Sequence, residues 1–129
     1  MEKKKLLFVC IENSNRSQMA EAFAKIHGND VAEAYSAGSK ASGVVNPRAI
    51  KAMNEIGYDL SKHKSTSLDE IPQITYDYVV SMGCGEKCPF VPAKQRLDWD
   101  IPDPKAMEPE EFNKIRDLIE KKVKELLHQ

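Results

Sequence analysis

Lys5-Leu6-Leu7-Phe8-Val9-Cys10-Ile11-Glu12-Asn13-Ser14-Asn15-Arg16-Ser17 is the stretch from which both the fold and the chemistry are read. Lys5 to Val9 is a short apolar run with phenylalanine and valine, the pattern of a parallel strand buried on both faces. From Ser17 onward, Met19, Ala22, Phe23 and Ile26 recur at helical spacing, and Gly28 stands where a helix ends. Between strand and helix lies a cysteine, five residues, then Arg-Ser. In that setting the loop amides and the first amides of the helix converge on one point, where the helix dipole also favours negative charge. A nest of backbone N–H groups holds three oxygens of a tetrahedral anion. Ile11, Glu12, Asn13, Ser14, Asn15, Arg16 and Ser17 are therefore predicted to bind an oxyanion, with Arg16 adding a forked clamp on two oxygens. The same surroundings favour thiolate over thiol, which makes Cys10 the candidate nucleophile and Ser17 a hydrogen-bond donor to its sulfur. Spacing alone also admits a plainer reading, a small buried cysteine at a strand end and a surface arginine.

Working outward, Val31 to Tyr35 reads as a second strand closing at Ala37-Gly38. Asn46-Pro47 is a cap followed by proline at the first helical position; Ile50, Met53, Asn54 and Ile56 continue that helix to Gly57. Ser67 and Glu70 have capping-box spacing for one helical turn. Tyr76 to Met82 is a third strand, Lys94 to Leu97 a weaker fourth. Pro109 opens a last helix with Phe112, Ile115, Ile119, Val123 and Leu126 on one face. This order predicts a single α/β domain over residues 1–129, a four-stranded, mostly parallel sheet flanked by helices. Ligands of such sheets bind beyond the carboxyl ends of the strands, where Cys10 and the segment after Met82 both fall.

A net charge of −1 excludes binding driven by nucleic-acid phosphates. No run of about 20 apolar residues exists to span a membrane, and Glu12, Asn13 and Asn15 interrupt the first apolar run too early for a secretion signal. Residence in the cytoplasm as a monomer is the expectation. Cys10, Cys84 and Cys88 are the only cysteines. An odd number argues against a disulfide scaffold and leaves reactive thiols, inert buried thiols or half of a zinc site, although no second Cys/His pair completes four ligands. His27, His63 and His128 lack metal spacing and read as surface residues. Trp99 reads as a packing residue close to the site.

The Cys-x5-Arg-Ser loop resembles that of the low-molecular-weight protein tyrosine phosphatase fold. The run Asn13 to Ala22, Asn-Ser-Asn-Arg-Ser-Gln-Met-Ala-Glu-Ala, is similar to the thioredoxin-coupled arsenate reductases of that fold. So are Tyr35-Ser36-Ala37-Gly38, Asn46-Pro47, Asp77-Tyr78-Val79-Val80, Cys84…Cys88-Pro89 and Asp103-Pro104. The resemblance implies reduction of arsenate to arsenite without a bound cofactor. Cys10 attacks the oxyanion, Cys84 displaces arsenite to form a Cys10–Cys84 disulfide, Cys88 moves it to Cys84–Cys88, and thioredoxin or a similar dithiol reduces it. It also implies that Asp103, between Pro102 and Pro104, is the general acid, with Asp100 as competitor. The short Gly85-Glu86-Lys87 spacer departs from the family's longer one, which predicts a turn-like, more easily reduced disulfide. Asn15 stands where relatives often carry cysteine. Asn13, Glu21 and Ser36 match positions that hold potassium in some relatives, but the fourth carboxylate is missing: that region reads Lys64-Ser65-Thr66, with Lys64 offered as a substitute charge. Two other readings stay open. One is a phosphotyrosine phosphatase, against which Ser39 to Val45 lacks an aromatic residue and Lys105 follows Asp103-Pro104. The other is a non-catalytic thiol redox sensor.

Overall fold

The computed structural model describes residues 3–82 and 91–128; Cys84 and Cys88 lie outside the described residues. Strand β1 (Lys4–Cys10) leads to helix α1 (Arg16–Gly28), then β2 (Ala32–Gly38), α2 (Pro47–Asn54), β3 (Tyr76–Met82), β4 (Ala93–Trp99) and α3 (Pro109–Leu127), with short 3-10 turns at Leu60–Lys62 and Leu68–Glu70. The four strands are ordered β2-β1-β3-β4 and every pairing is parallel. The sheet and flanking helices are those expected, with β4 longer by a residue or two at each end.

The apolar run of β1 is continuous because β1 is central and covered on both faces. Leu6, Phe8 and Cys10 point into the larger core, shared with Met19, Phe23 and the α3 stripe, while Leu7 and Val9 point into a second core with Ala37 and Val79. That is the period-two alternation of a strand between two hydrophobic layers. The edge strand β4 instead exposes Lys94, Gln95, Arg96 and Asp98, side chains that blunt edge-to-edge pairing. All five predicted stripe residues of α3 are buried. Helix α2 is capped by the Asn46 side chain, which accepts from the Arg48 amide, and Pro47 sits in the first turn. The Ser67–Glu70 capping box is present.

Register puts the strands' carboxyl ends side by side: Cys10 faces Gly38, Val9 faces Ser81, and Met82 faces Trp99. Trp99 packs against Phe8, ring centroids 6.0 Å apart, with the Lys122 ammonium 5.8 Å from its ring. It is a core-edge residue beneath α3 and does not line the anion pocket. Among the described residues, no helix is long and apolar enough to cross a membrane.

Candidate active site

The loop after β1 is held from outside by its carbonyls. Cys10 O accepts from Ser39 N, Ile11 O from Lys40 N, Glu12 O from Ser42 N and Ser65 Oγ, Asn13 O from Gln18 Nε2, Ser14 O from Asn46 N and Asn15 O from Met19 N. Every peptide among the described residues is trans, so each amide N–H points opposite to the carbonyl it is bonded to. Six carbonyls anchored outward leave the N–H groups of residues 11–16 turned away from those anchors, the condition for an anion nest. Asn13 makes the required bend with φ 50°, a left-handed conformation that asparagine tolerates better than most residues. Gly38 lies so close beneath the loop that a Cβ there would sit 2.6 Å from Ile11 O.

The loop encloses a pocket of about 130 Å³ lined by Cys10, Ile11, Glu12, Ser14, Asn15, Arg16 and Asp103. Cys10 is almost fully buried at its base, its Sγ 2.8 Å from Ser17 Oγ. Asn13 and Ser17 are named in the loop motif but stand behind the pocket wall: Asn13 Nδ2 donates to Ser17 Oγ at 2.7 Å. Arg16, also buried, donates from Nη1 to Ile101 O at 3.0 Å and places Nη2 3.9 Å from Asp103 Oδ2. One arginine thus ties the anion loop to the proline-flanked loop after β4. Asp103 lines the pocket and Asp100 does not, which favours Asp103 as the acid. At the rim the Lys105 ammonium meets the Glu12 carboxylate at 3.1 Å, offsetting a negative charge beside an anion site. The buried Asn15 Oδ1 has no hydrogen-bond partner among the described residues.

Behind the loop the structure departs from expectation. His63 is not a surface residue: its side chain is 5% exposed. The 3-10 turn Leu60–Lys62 carries it inward, where Nδ1 lies 2.9 Å from Gln18 Oε1 and Nε2 2.6 Å from Tyr58 Oη. Lys64 supplies no charge to the loop, being 82% exposed and 4.0 Å from Glu70. Glu21 accepts from Ser36 Oγ at 2.5 Å and pairs with Lys25 at 2.6 Å. These contacts do not suit potassium, because Asn13 Oδ1 already accepts from Gln18 Nε2 and Thr66 N and an ammonium already sits on Glu21. Gln18 and Tyr58 were not marked by the sequence motif. Gln18 follows directly on Arg-Ser, and that adjacency was the one available signal.

Burial holds His63 below its usual pKa, opposed by the Glu21 carboxylate and assisted by Lys25 and Lys62. The folded protein therefore binds this proton less readily than the unfolded chain. The contribution of His63 to stability is whole above the ordinary histidine value of about 6.5 and is lost as pH falls through that value toward the folded one. The expected result is a melting temperature that drops between about pH 7 and pH 5, and drops less in His63→Asn; thermal melts of both proteins across that range measure it.

The model of the low molecular weight phosphotyrosine protein phosphatase family matches residues 5–129. Arsenate reductase 1 of Staphylococcus epidermidis is 39% identical, the alignment covering 100% of this chain and 99% of that protein. A solved arsenate reductase in its phosphate-binding state superposes with a TM-score of 0.87 at 36% identity, covering 97% of each chain. A thioredoxin-dependent arsenate reductase from Corynebacterium glutamicum superposes with a TM-score of 0.77 at 29% identity, covering 96% of this chain and 60% of that one. With a loop, a buried cysteine and an arginine arranged as that fold requires, and a match running nearly from end to end, the chain belongs to the low molecular weight phosphotyrosine protein phosphatase family.

Proposed function

We propose that this protein is an arsenate reductase that draws its electrons from its own cysteines and then from an external dithiol protein such as thioredoxin. The observation that carries the reading is the outward anchoring of every loop carbonyl from Cys10 to Asn15 around a buried sulfur. That leaves donors facing the pocket, the environment in which a tetrahedral oxyanion binds and a thiolate attacks it. The Staphylococcus epidermidis protein and the phosphate-binding structure are arsenate reductases that match this chain over nearly their full length, which favours arsenate over phosphotyrosine. So does a pocket of about 130 Å³ whose lining, among the described residues, holds no aromatic side chain.

Cys10 sulfur attacks arsenic, forming an S–As bond, while one oxygen leaves as water with a proton from Asp103. Arg16 and the loop amides hold the remaining oxygens. Cys84 then attacks the Cys10 sulfur. The S–S bond forms as the S–As bond breaks, and its electron pair stays on arsenic, which leaves as arsenite. Two thiols have lost the two electrons that arsenic gained. Cys88 attacks Cys84, freeing Cys10 as a thiolate, and the dithiol partner reduces the Cys84–Cys88 disulfide by thiol–disulfide exchange. Because phosphate has nearly the same shape as arsenate, slow hydrolysis of small aryl phosphates accompanies this activity and needs only Cys10, Arg16 and Asp103.

Multiple-turnover arsenite release with a thioredoxin system is expected to be lost in Cys84→Ser and in Cys88→Ser, with aryl-phosphate hydrolysis retained in both. Normal arsenate turnover in either variant rules out the relay; absence of arsenite from the wild type rules out the function.

A further inference from the structure

We infer that Glu12 and Lys105 are specificity-determining residues, their ion pair clasping the pocket mouth so that free inorganic oxyanions are admitted and their organic esters disfavoured. The inference rests on the reading of the Cys10 pocket as an oxyanion site, and it deepens the choice of an inorganic substrate.

A carboxylate in the wall of an anion pocket needs a reason, because like charges repel there. Glu12 is such a group. Its backbone is not free to carry it away, since Glu12 O is held by Ser42 N at 3.0 Å and by Ser65 Oγ at 2.9 Å. The side chain instead meets the Lys105 ammonium, whose Nζ lies 3.3 Å from Oε1 and 3.1 Å from Oε2. Lys105 is anchored in turn. Its amide donates to Asp103 Oδ1 at 3.0 Å. Met107 N donates to Pro104 O at 2.9 Å, and Arg48 Nη1 donates to Met107 O at 2.6 Å. Both ends of the pair thus stand on backbone that is held in place.

Two ties join the anion loop to the loop after β4. Arg16 makes the first, to Ile101 O and toward Asp103, with its side chain only 9% exposed. Glu12 and Lys105 make the second, with side chains 37% and 60% exposed. Glu12, Arg16 and Asp103 all line the pocket, so Arg16 closes its buried side and the Glu12–Lys105 pair its solvent side. The pocket volume of about 130 Å³ compares with roughly 30 Å³ for one water in the liquid. That is room for a four-oxygen anion and not for an aryl group beside it. The organic part of an ester must leave by the solvent side, where it displaces the pair. A free oxyanion ends inside the rim and leaves the pair closed. Opening also turns an unneutralised Glu12 carboxylate toward the ester's negative charge. Arsenate and phosphate are alike to this clasp; what it reads is whether an oxygen carries a substituent.

The test measures protection of Cys10 from iodoacetamide at neutral pH, in a Cys84→Ser/Cys88→Ser background where it is the one remaining thiol. The protecting anions are inorganic phosphate and phenyl phosphonate, which is not hydrolysed. The readout is the Kd for phenyl phosphonate divided by the Kd for phosphate. Glu12→Gln/Lys105→Met keeps side-chain length and net charge and removes the attraction. It is expected to lower the ratio by about two- to five-fold, the worth of one exposed ion pair. The charge-swapped Glu12→Lys/Lys105→Glu rebuilds the clasp and is expected to return the ratio toward that of the wild type. Salt screens exposed pairs, so raising it is expected to lower the ratio in the wild type and not in Glu12→Gln/Lys105→Met. An unchanged ratio in Glu12→Gln/Lys105→Met overturns the inference. So does a charge-swapped variant that behaves like it, which would assign the effect to side-chain bulk. If these variants fail to fold, a salt-independent ratio in the wild type overturns it instead. When neither anion protects Cys10, the inference falls together with the reading of the pocket. When the ratio shifts as expected but the wild type releases no arsenite, only the proposed reduction falls.

Discussion

Cys10→Ser is expected to lower both arsenite release and aryl-phosphate hydrolysis by about a thousand-fold or more, with the fold intact. A serine hydroxyl becomes a useful nucleophile only beside a general base. Among the described residues the pocket lining contains no histidine or lysine; its titratable members are Arg16, Glu12 and Asp103. Arg16 is a cation, Glu12 is paired with Lys105, and Asp103, the proposed acid, lies 3.9 Å from Arg16. None of these described residues is placed to strip a proton from an alcohol. Serine is also unable to form the disulfide whose formation gives arsenic its two electrons, so reduction fails at two steps and phosphate hydrolysis at one. The side chains are nearly isosteric and Ser17 still offers its hydrogen bond, so the near-UV circular dichroism should match the wild type. Retained aryl-phosphate hydrolysis in Cys10→Ser would mean that the nucleophile lies elsewhere.

Gly38→Ala is the second large effect, and it acts without touching any reacting group. An added Cβ would meet Ile11 O at 2.6 Å, Asn13 N at 2.9 Å and Glu12 C at 3.0 Å. All three are backbone atoms of the anion loop, so no side chain can swing aside. Gly38 is itself fixed, paired with Cys10 in the sheet and donating from its amide to Thr66 O at 2.8 Å. The loop must move, and a displacement of about 1 Å at a positioning element costs on the order of a hundred-fold in rate. The expected outcome is a fall of that size in kcat/KM for arsenate and aryl phosphate alike, with weaker protection by inorganic phosphate against alkylation. Overpacking adds roughly 1–3 kcal/mol of destabilisation. Gly57→Ala is the control. Gly57 has φ 89° and open space where a Cβ would go, so alanine there costs about 1 kcal/mol of backbone strain and leaves kcat/KM alone. Equal activity loss in both variants would show that strain in general, and not loop displacement, is responsible.

What the chain revealed before folding was whatever is written locally. The run Leu6 to Val9, the proline after Asn46 and the spacing from Phe112 to Leu126 each carry their structural meaning within a few residues, and each appears as expected. Cys10, Arg16 and Asp103 were legible because a strand end, a helix start and two prolines mark them. His63 was not, because its burial depends on Gln18, 45 positions away, and on a three-residue turn with no apolar period. The Ser36–Glu21 bond was hidden for the same reason, since Ser36 lies on β2. Lys25, four residues along the same helix, follows from helical spacing, and it is what makes a cation unwelcome there. The relay from Cys10 through Cys84 to Cys88 remains a reading of sequence, since two of its members lie outside the described residues.

The anchoring of the loop from behind has a consequence for choice among anions. A cradle assembled before any guest arrives responds to size and charge, and phosphate satisfies both nearly as well as arsenate. Occupancy alone therefore gives little discrimination, and in a phosphate-rich cell the resting protein is expected to hold the wrong guest much of the time. Selection then falls to the step in which sulfur is displaced from sulfur: arsenic accepts the electron pair and departs changed, whereas phosphorus, which thiols do not reduce, is only passed to water.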